Sequence, residues 1–310
     1  MIEGHVRQLG MGIKVYDTIP GLMLYSFNMP IFFFVSGLLA YKTNMNIVDF
    51  LNKIKLKFIF LVVPAVIFVL FYDLLSHRNP IDVTNTGFGR YWFTITLFEC
   101  FFLYYLSCVL IKKESIRHVF LLILSFVGIG VLSVYQKFGL PILDMNHLTK
   151  YFQFFVFGIL SMRYKELYEK IVRNDFLKAI ALISFFALLF LLDYPIWPKS
   201  AFHLMRDIVL RYLGTFVVVS FFVCHAAWFD NHTKINNIIM NIGQKSLAIY
   251  LLQYFFLPDI KNFGWTNSLD LCSIHIISAL YTIVITVVCL IIIEFFSNSN
   301  IVKKYCLGQK

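Results

Sequence analysis

His5 carries the side-chain type whose proton affinity lies near neutral pH, so it is suited to take a proton from an attacking hydroxyl. Read locally, Gly4-His5 is equally an ordinary histidine of an interfacial loop. Arg90 follows Gly87-Phe88-Gly89 and precedes Trp92 at the start of an apolar run. A guanidinium fixed there can hold a carboxylate or phosphate, or a developing oxyanion; the plainer alternative is snorkelling to headgroups. Glu99 stands about two turns further on. A carboxylate inside an apolar helix costs a few kcal/mol unless it is paired or faces water, so it is either functional or half of a structural ion pair. Glu3 is close enough to His5 to orient the ring, although residues two apart do not share a helix face. Lys53, Lys55 and Lys57 form a basic run suited to phosphate groups. Asn28 and Gln253 are polar within apolar runs, where side-chain amides bridge neighbouring helices. Ser36-Gly37 suggests close helix approach more than a nucleophile. The chain contains no Gly-x-Ser-x-Gly elbow, P-loop or dinucleotide fingerprint. Five of the six cysteines, Cys100, Cys108, Cys224, Cys272 and Cys289, lie in or at the edge of apolar runs, and the chain has no Cys or Cys/His metal-ligand spacing, so the cysteines are read as small core residues and no metal site is expected.

The elements that must position these groups follow from composition. The 310 residues are 59% hydrophobic and only 14% charged, with a mean hydropathy of +0.76. A water-soluble domain has too little interior to hide that share, so lipid is the expected solvent. The 35 Phe and 17 Tyr spread along the whole length, as helices facing acyl chains and interfacial belts require. Spanning a bilayer takes about 20 apolar residues. Runs of that kind occupy roughly 21–41, 58–75, 92–111, 118–135, 151–164, 177–197, 209–229, 238–257 and 271–296. The expectation is an all-α, polytopic helix bundle of nine complete helices within one domain, 1–310. Pro30 and Pro64 interrupt two of the runs, which membrane helices tolerate when neighbours satisfy the freed backbone groups.

The net charge of +10 does not point to nucleic acid, because the basic residues sit in short connections instead of one stripe. One set gathers at Lys42 and Lys53–Lys57, at Lys112, Lys113 and Arg117, from Arg163 to Lys178, at Lys234 and Lys245, and at Lys303, Lys304 and Lys310. The smaller set, Arg7, Lys14, Arg78, Arg90, Lys137, Lys150, Lys199, Arg206, Arg211 and Lys261, falls in the alternate connections. The positive-inside rule assigns the larger set to the cytoplasm, and the C-terminus with it. Residues 1–20 then lie on the outer side, where a preceding helix would end, so most of a first helix is expected to be missing.

Tyr25-Ser-Phe-Asn-Met-Pro-Ile-Phe-Phe-Phe-Val-Ser-Gly37 resembles the second-helix signature of the acyltransferase 3 family, integral membrane O-acyltransferases that modify surface glycans. Four further segments agree in order. Gly4-His5-Val-Arg-Gln resembles the end of that family's first helix, Lys53 to Pro64 its basic entry to the third, and Arg90-Tyr-Trp-Phe-Thr-Ile-Thr-Leu-Phe98 its Trp-Phe-Leu helix start. Gly243-Gln-Lys-Ser-Leu-Ala-Ile-Tyr-Leu-Leu-Gln253 is similar to its late Ser-Leu-x-Ile-Tyr-Leu-Leu-His helix. The sequence departs from the pattern in three places. The basic residue that relatives carry about eleven positions before the first-helix His would precede Met1; Asn28 and Gln253 stand where many relatives have His; and lysines replace a paired-Arg motif.

The resemblance implies transfer of an acyl group, expected to be acetyl, from acetyl-CoA to a hydroxyl of a cell-surface polysaccharide or glycolipid, in a bacterial cytoplasmic membrane. It makes His5 the candidate base, with Arg90 and Glu99 as further catalytic candidates. Asn28, Trp92, Tyr250 and Gln253 become candidates for acceptor binding, and Lys53, Lys55 and Lys57 for the phosphates of the donor. No bound cofactor is expected; the implied partners are membrane lipids, the glycan acceptor and acyl-CoA. Positive-inside placement alone also accounts for the three lysines. Two rivals stand beside this reading. One is a transporter or flippase of lipid-linked glycan, which the hydropathy fits equally but for which no internal repeat is seen. The other is a catalytically inactive relative.

Overall fold

The computed structural model describes residues 1–13, 19–75, 90–128, 130, 145–191, 201–260 and 270–309. Lys14, Arg78, Lys137, Lys199, Lys261 and Lys310, the Gly87–Gly89 approach to Arg90, and parts of the apolar runs 118–135 and 177–197 lie outside the described residues.

Every described regular element is helical, and each of the nine apolar runs contains a helix. In chain order these are α1 (Ile2–His5), continued by a π-turn at Val6–Gly10; α2 (Ile19–Ala40); α3 (Ile47–Lys57), which passes through a π-turn at Phe58–Val62 into α4 (Val63–Leu75); α5 (Trp92–Leu110); and α6 (Glu114–Ile123), continued by a π-turn at Leu124–Gly128. There follow α7 (Met145–Arg163), α8 (Lys165–Arg173), α9 (Asp175–Leu191), α10 (Ala201–Cys224), α11 (Ala226–Asn231), α12 (Thr233–Leu252), α13 (Leu271–Phe296) and α14 (Asn300–Tyr305). Pro30 lies inside α2. Asn46 caps α3 by accepting from the Asp49 amide at 2.7 Å, which supplies a donor that the first helical turn leaves without an intrahelical partner.

Among the described residues, five helices are long and apolar enough to cross a membrane: Ile19–Ala40, Ile47–Leu75, Trp92–Leu110, Arg206–Cys224 and Cys272–Phe296. Polar ends explain why two of the other runs fall short. α7 begins with Asn146, His147 and Lys150, and the first twelve residues of α12 carry Asn236, Asn237, Asn241 and Gln244. Large apolar side chains point outward along the helices, with Leu39 81% and Phe295 73% exposed. That surface suits an acyl-chain solvent and would aggregate in water.

The chain divides into two compact units, each assembled from three stretches of sequence. One comprises Met1–Phe32, Tyr164–Gln244 and Phe256–Val288, the other Phe33–Arg163, Lys245–Phe255 and Cys289–Lys310. The first has a core of Leu22, Phe185, Leu189 and Leu210. There Gly214 of α10 meets Phe185, Phe27 and the Ser26 hydroxyl so closely that a Cβ would lie 2.8 Å from Ser26 Oγ.

The second unit is built on a closer crossing. A Cβ on Gly37 would stand 2.0 Å from the Phe155 carbonyl oxygen, and one on Gly158 would stand 2.0 Å from that of Phe34. The backbones of α2 and α7 touch, as small residues in membrane helices permit, and the close approach expected at Ser36-Gly37 is present. Basic connections of this unit also lie together. The fully buried Arg117 guanidinium donates to the carbonyls of Thr43 (2.6 Å) and Ile111 (3.2 Å). Glu114 accepts from the Tyr41 hydroxyl at 2.7 Å and pairs with Arg163 at 3.1 Å.

Candidate functional site

In the first unit the segment that holds His5 is fixed by its neighbours. His5 closes the short α1, and its ring is half-buried. Two residues later the Arg7 side chain is 1% exposed. Its Nε lies 3.6 Å from Glu3 Oε1 and donates to Ser278 Oγ at 3.4 Å, while Nη2 contacts the His275 imidazole. Ser278 in turn donates to Glu3 Oε1 at 3.4 Å. Glu3 therefore engages Arg7 one turn on, at the i,i+4 spacing where helical side chains meet. Beyond Arg7 the backbone is clasped again: Ile260 N–H donates to the Gly10 carbonyl at 2.9 Å, and a Cβ on Gly10 would lie 2.7 Å from the Pro258 oxygen. His5 is thus presented on a rigid turn.

Arg7, His275 and Ser278 are the residues that sequence reasoning missed here. The available signal was the polar pair His275 and Ser278, three apart on one face of an otherwise apolar run, where polar groups need partners. We expect Arg7→Ala to lower stability by about 3 kcal/mol, because it leaves Glu3 beside an emptied, water-poor pocket. Thermal unfolding in detergent, compared with Glu3→Gln, checks this.

In the second unit Arg90 is held at both ends. Its carbonyl accepts from the hydroxyls of Tyr250 and Tyr254, each at 2.7 Å, and its guanidinium carbon sits 3.9 Å over the Tyr72 ring. Tyr91, 1% exposed, donates to the Leu251 carbonyl at 3.2 Å and packs edge-on against Tyr250 and Tyr254. Its hydroxyl lies within electrostatic reach of Arg90, Tyr254 and the buried Asp73 of α4. Trp92 stacks on His147 (4.0 Å between centroids) and Tyr151 (5.2 Å), and Tyr151 stacks on Phe33. Gln253 is fully buried. Its Nε2 donates to the Tyr250 carbonyl at 3.1 Å, and its Oε1 has no hydrogen-bond partner among the described residues.

Four of the candidates, Arg90, Trp92, Tyr250 and Gln253, therefore meet in one aromatic enclosure, where Arg90 carries the positive charge and the Gln253 amide is tied to the Tyr250 carbonyl. His147, Tyr72 and Asp73 join them. Asp73 could have been found as a carboxylate within an apolar run. His147 carried no signal, because its partner Trp92 is far away in sequence. Glu99 is buried on α5.

The lysine run divides by helix face. Lys57 Nζ sits 3.7 Å over the Phe101 ring and Lys53 Nζ is 6.0 Å over Tyr105, while Lys55 is exposed. His5 and Asn28 belong to the first unit, and the other candidates to the second.

An all-helical chain whose long helices turn apolar side chains outward and enclose charged groups belongs to the class of membrane proteins. A family model described as an acyltransferase domain matches residues 3–294, and the chain belongs to this family, acyltransferase 3. It is a membrane acyltransferase. No curated protein and no solved structure gives a match.

Proposed function

We propose that this protein is a multi-pass O-acetyltransferase that moves an acetyl group from acetyl-CoA to a hydroxyl of a cell-surface polysaccharide or glycolipid. The single observation that carries the reading is family membership across nearly the whole chain, from residue 3 to residue 294. A bacterial cytoplasmic membrane and a cytoplasmic C-terminus follow from the family and from the placement of the lysines and arginines.

In the proposed reaction His5 accepts the proton of the acceptor hydroxyl as its oxygen bonds to the thioester carbonyl carbon. The electron pair moved onto the carbonyl oxygen returns as the carbon–sulfur bond breaks. The thiolate of CoA leaves and takes the proton from the imidazolium. Arg90 holds an anionic group of a substrate; Trp92, Tyr250 and Gln253, which share its unit, contact the acceptor. The fixed turn around His5 and the aromatic clasp around Arg90 support these roles, because a catalytic group held in one geometry spends less entropy in reaching it.

Arg90→Lys keeps the charge but loses the planar stack on Tyr72 and the two-pronged grip on an anionic group. Transfer is expected to fall by about tenfold; initial rates with purified protein in lipid nanodiscs check this. The experiment that tests the whole reading is mass spectrometry of cell-surface glycans in a deletion strain complemented with the wild-type chain or with His5→Ala. An acetyl increment restored by the wild type alone is the expected result. Identical glycans in all strains would sink it.

A further inference from the structure

A cavity of about 410 Å³ opens in the second unit where the C-terminal segment lies against the end of α3 and the π-turn that follows it. It is lined by Leu56 and Phe60 on one side and by Asn300, Lys303, Lys304 and Gln309 on the other. The segment is fixed there by its own backbone. Past α14 the amides of Cys306 and Leu307 donate back to the Val302 carbonyl, and that of Gln309 to the Lys303 carbonyl at 3.0 Å. Gly308 adopts a φ of +62°, which only glycine takes without strain. A Cβ there would also lie 2.5 Å from the Phe60 oxygen. The buried Leu307 and the tight seat of Gly308 therefore hold the lysine pair over the cavity as a built wall.

The lining has one chemical character. Two ammonium groups and two carboxamides face two apolar side chains, and no acidic residue contributes. Among the described residues neither Lys303 nor Lys304 has an ion-pair partner, the Lys304 ammonium lying 5.3 Å from the centroid of the Tyr305 ring, and Gln309 Nε2 is buried with no hydrogen-bond acceptor. Charged and amide donors without acceptors, beside apolar surface, match a phosphate ester whose organic part packs on Leu56 and Phe60. The volume lies within the range of small-molecule sites. Lys303 and Lys304 also belong to the charge set that the sequence places on the same side as Lys53 to Lys57.

We propose that Lys303, Lys304 and Gln309 form a phosphate-binding site. Two sources present this chemistry, the nucleotide end of an acyl-CoA donor and the headgroup of an anionic phospholipid. Only the assignment to the donor rests on the acetyl-CoA reading above.

The test uses the full chain in nanodiscs of neutral lipid, with adenosine 3′,5′-bisphosphate as one probe and phosphatidylglycerol as the other. Calorimetry reads the first, and native mass spectrometry of retained lipid reads the second. Lys303→Gln with Lys304→Gln is expected to weaken one of the two by about tenfold or more, while Lys303→Arg with Lys304→Arg keeps it. Loss confined to the nucleotide identifies a donor site; loss confined to the lipid identifies a headgroup site and leaves the donor to be bound elsewhere. Affinities for both probes that do not change in the glutamine double variant, with the protein still folded by gel filtration, overturn the proposal.

Discussion

Replacing His5 with alanine is expected to lower acyl transfer by about a hundred- to ten-thousand-fold, the contribution of a positioned general base, while leaving the protein folded. The two halves of that expectation rest on different residues. The turn that presents His5 is fixed by Arg7, which reaches Glu3, Ser278 and His275, and by Gly10, which sits on Pro258 and Ile260. Removal of the imidazole touches neither anchor. Release of CoA thiol, measured with the purified protein and an acceptor glycan, reports the transfer. His5→Gln distinguishes the roles: a glutamine can hydrogen-bond but cannot take the proton, so it should be as inactive as alanine if His5 is the base. Near-normal activity in His5→Gln would mean that the ring only positions the acceptor. Arg7→Ala provides the contrast, since its loss should appear first as a lower unfolding temperature.

The sequence showed the helices more clearly than the site, for a physical reason. Lipid demands long apolar stretches and satisfied backbones, so the hydropathy of each run announces a helix whatever it packs against. Helix contacts made by specific side chains leave no such local trace. The clasp of Arg90 by Tyr72, Tyr250 and Tyr254 joins three segments; Tyr250 is marked in the sequence only by the family resemblance, and Tyr72 and Tyr254 are indistinguishable there from the other tyrosines of a protein rich in them. Glu3 was assigned to His5 because the two are near in sequence; helical geometry gives it to Arg7. Lys53, Lys55 and Lys57 read as one basic patch, yet the helical period turns Lys53 and Lys57 onto the rings of α5 and leaves Lys55 exposed. Gly37 was legible, because a glycine in a membrane helix has few purposes other than close approach.

The second large effect is expected at that crossing. Gly158→Ala should cost about 3 kcal/mol, against a gain of about 1 kcal/mol from better helix propensity, so the net change is destabilising. The new methyl group would stand 2.0 Å from the Phe34 carbonyl oxygen and 2.8 Å from the Leu38 nitrogen. Both are backbone atoms, which no side-chain rotation can move aside, so the helices must separate. Separation propagates to the enclosure, because α7 carries His147 and Tyr151, the two rings stacked on Trp92, and Tyr151 also stacks on Phe33 of α2. Gly37→Ala meets the Phe155 carbonyl from the other side and should behave alike. Gly243 is the internal control: it lies within α12 with nothing within 4 Å of its added Cβ, so Gly243→Ala should be neutral or stabilising by up to about 1 kcal/mol. Unfolding midpoints of the three variants in detergent decide the matter. Equal midpoints for Gly158→Ala and Gly243→Ala would mean that the crossing yields without cost, whereas a fall in Gly158→Ala and Gly37→Ala alone, accompanied by a change in Trp92 fluorescence in a background lacking the other tryptophans, would tie the glycine contact to the geometry around Arg90.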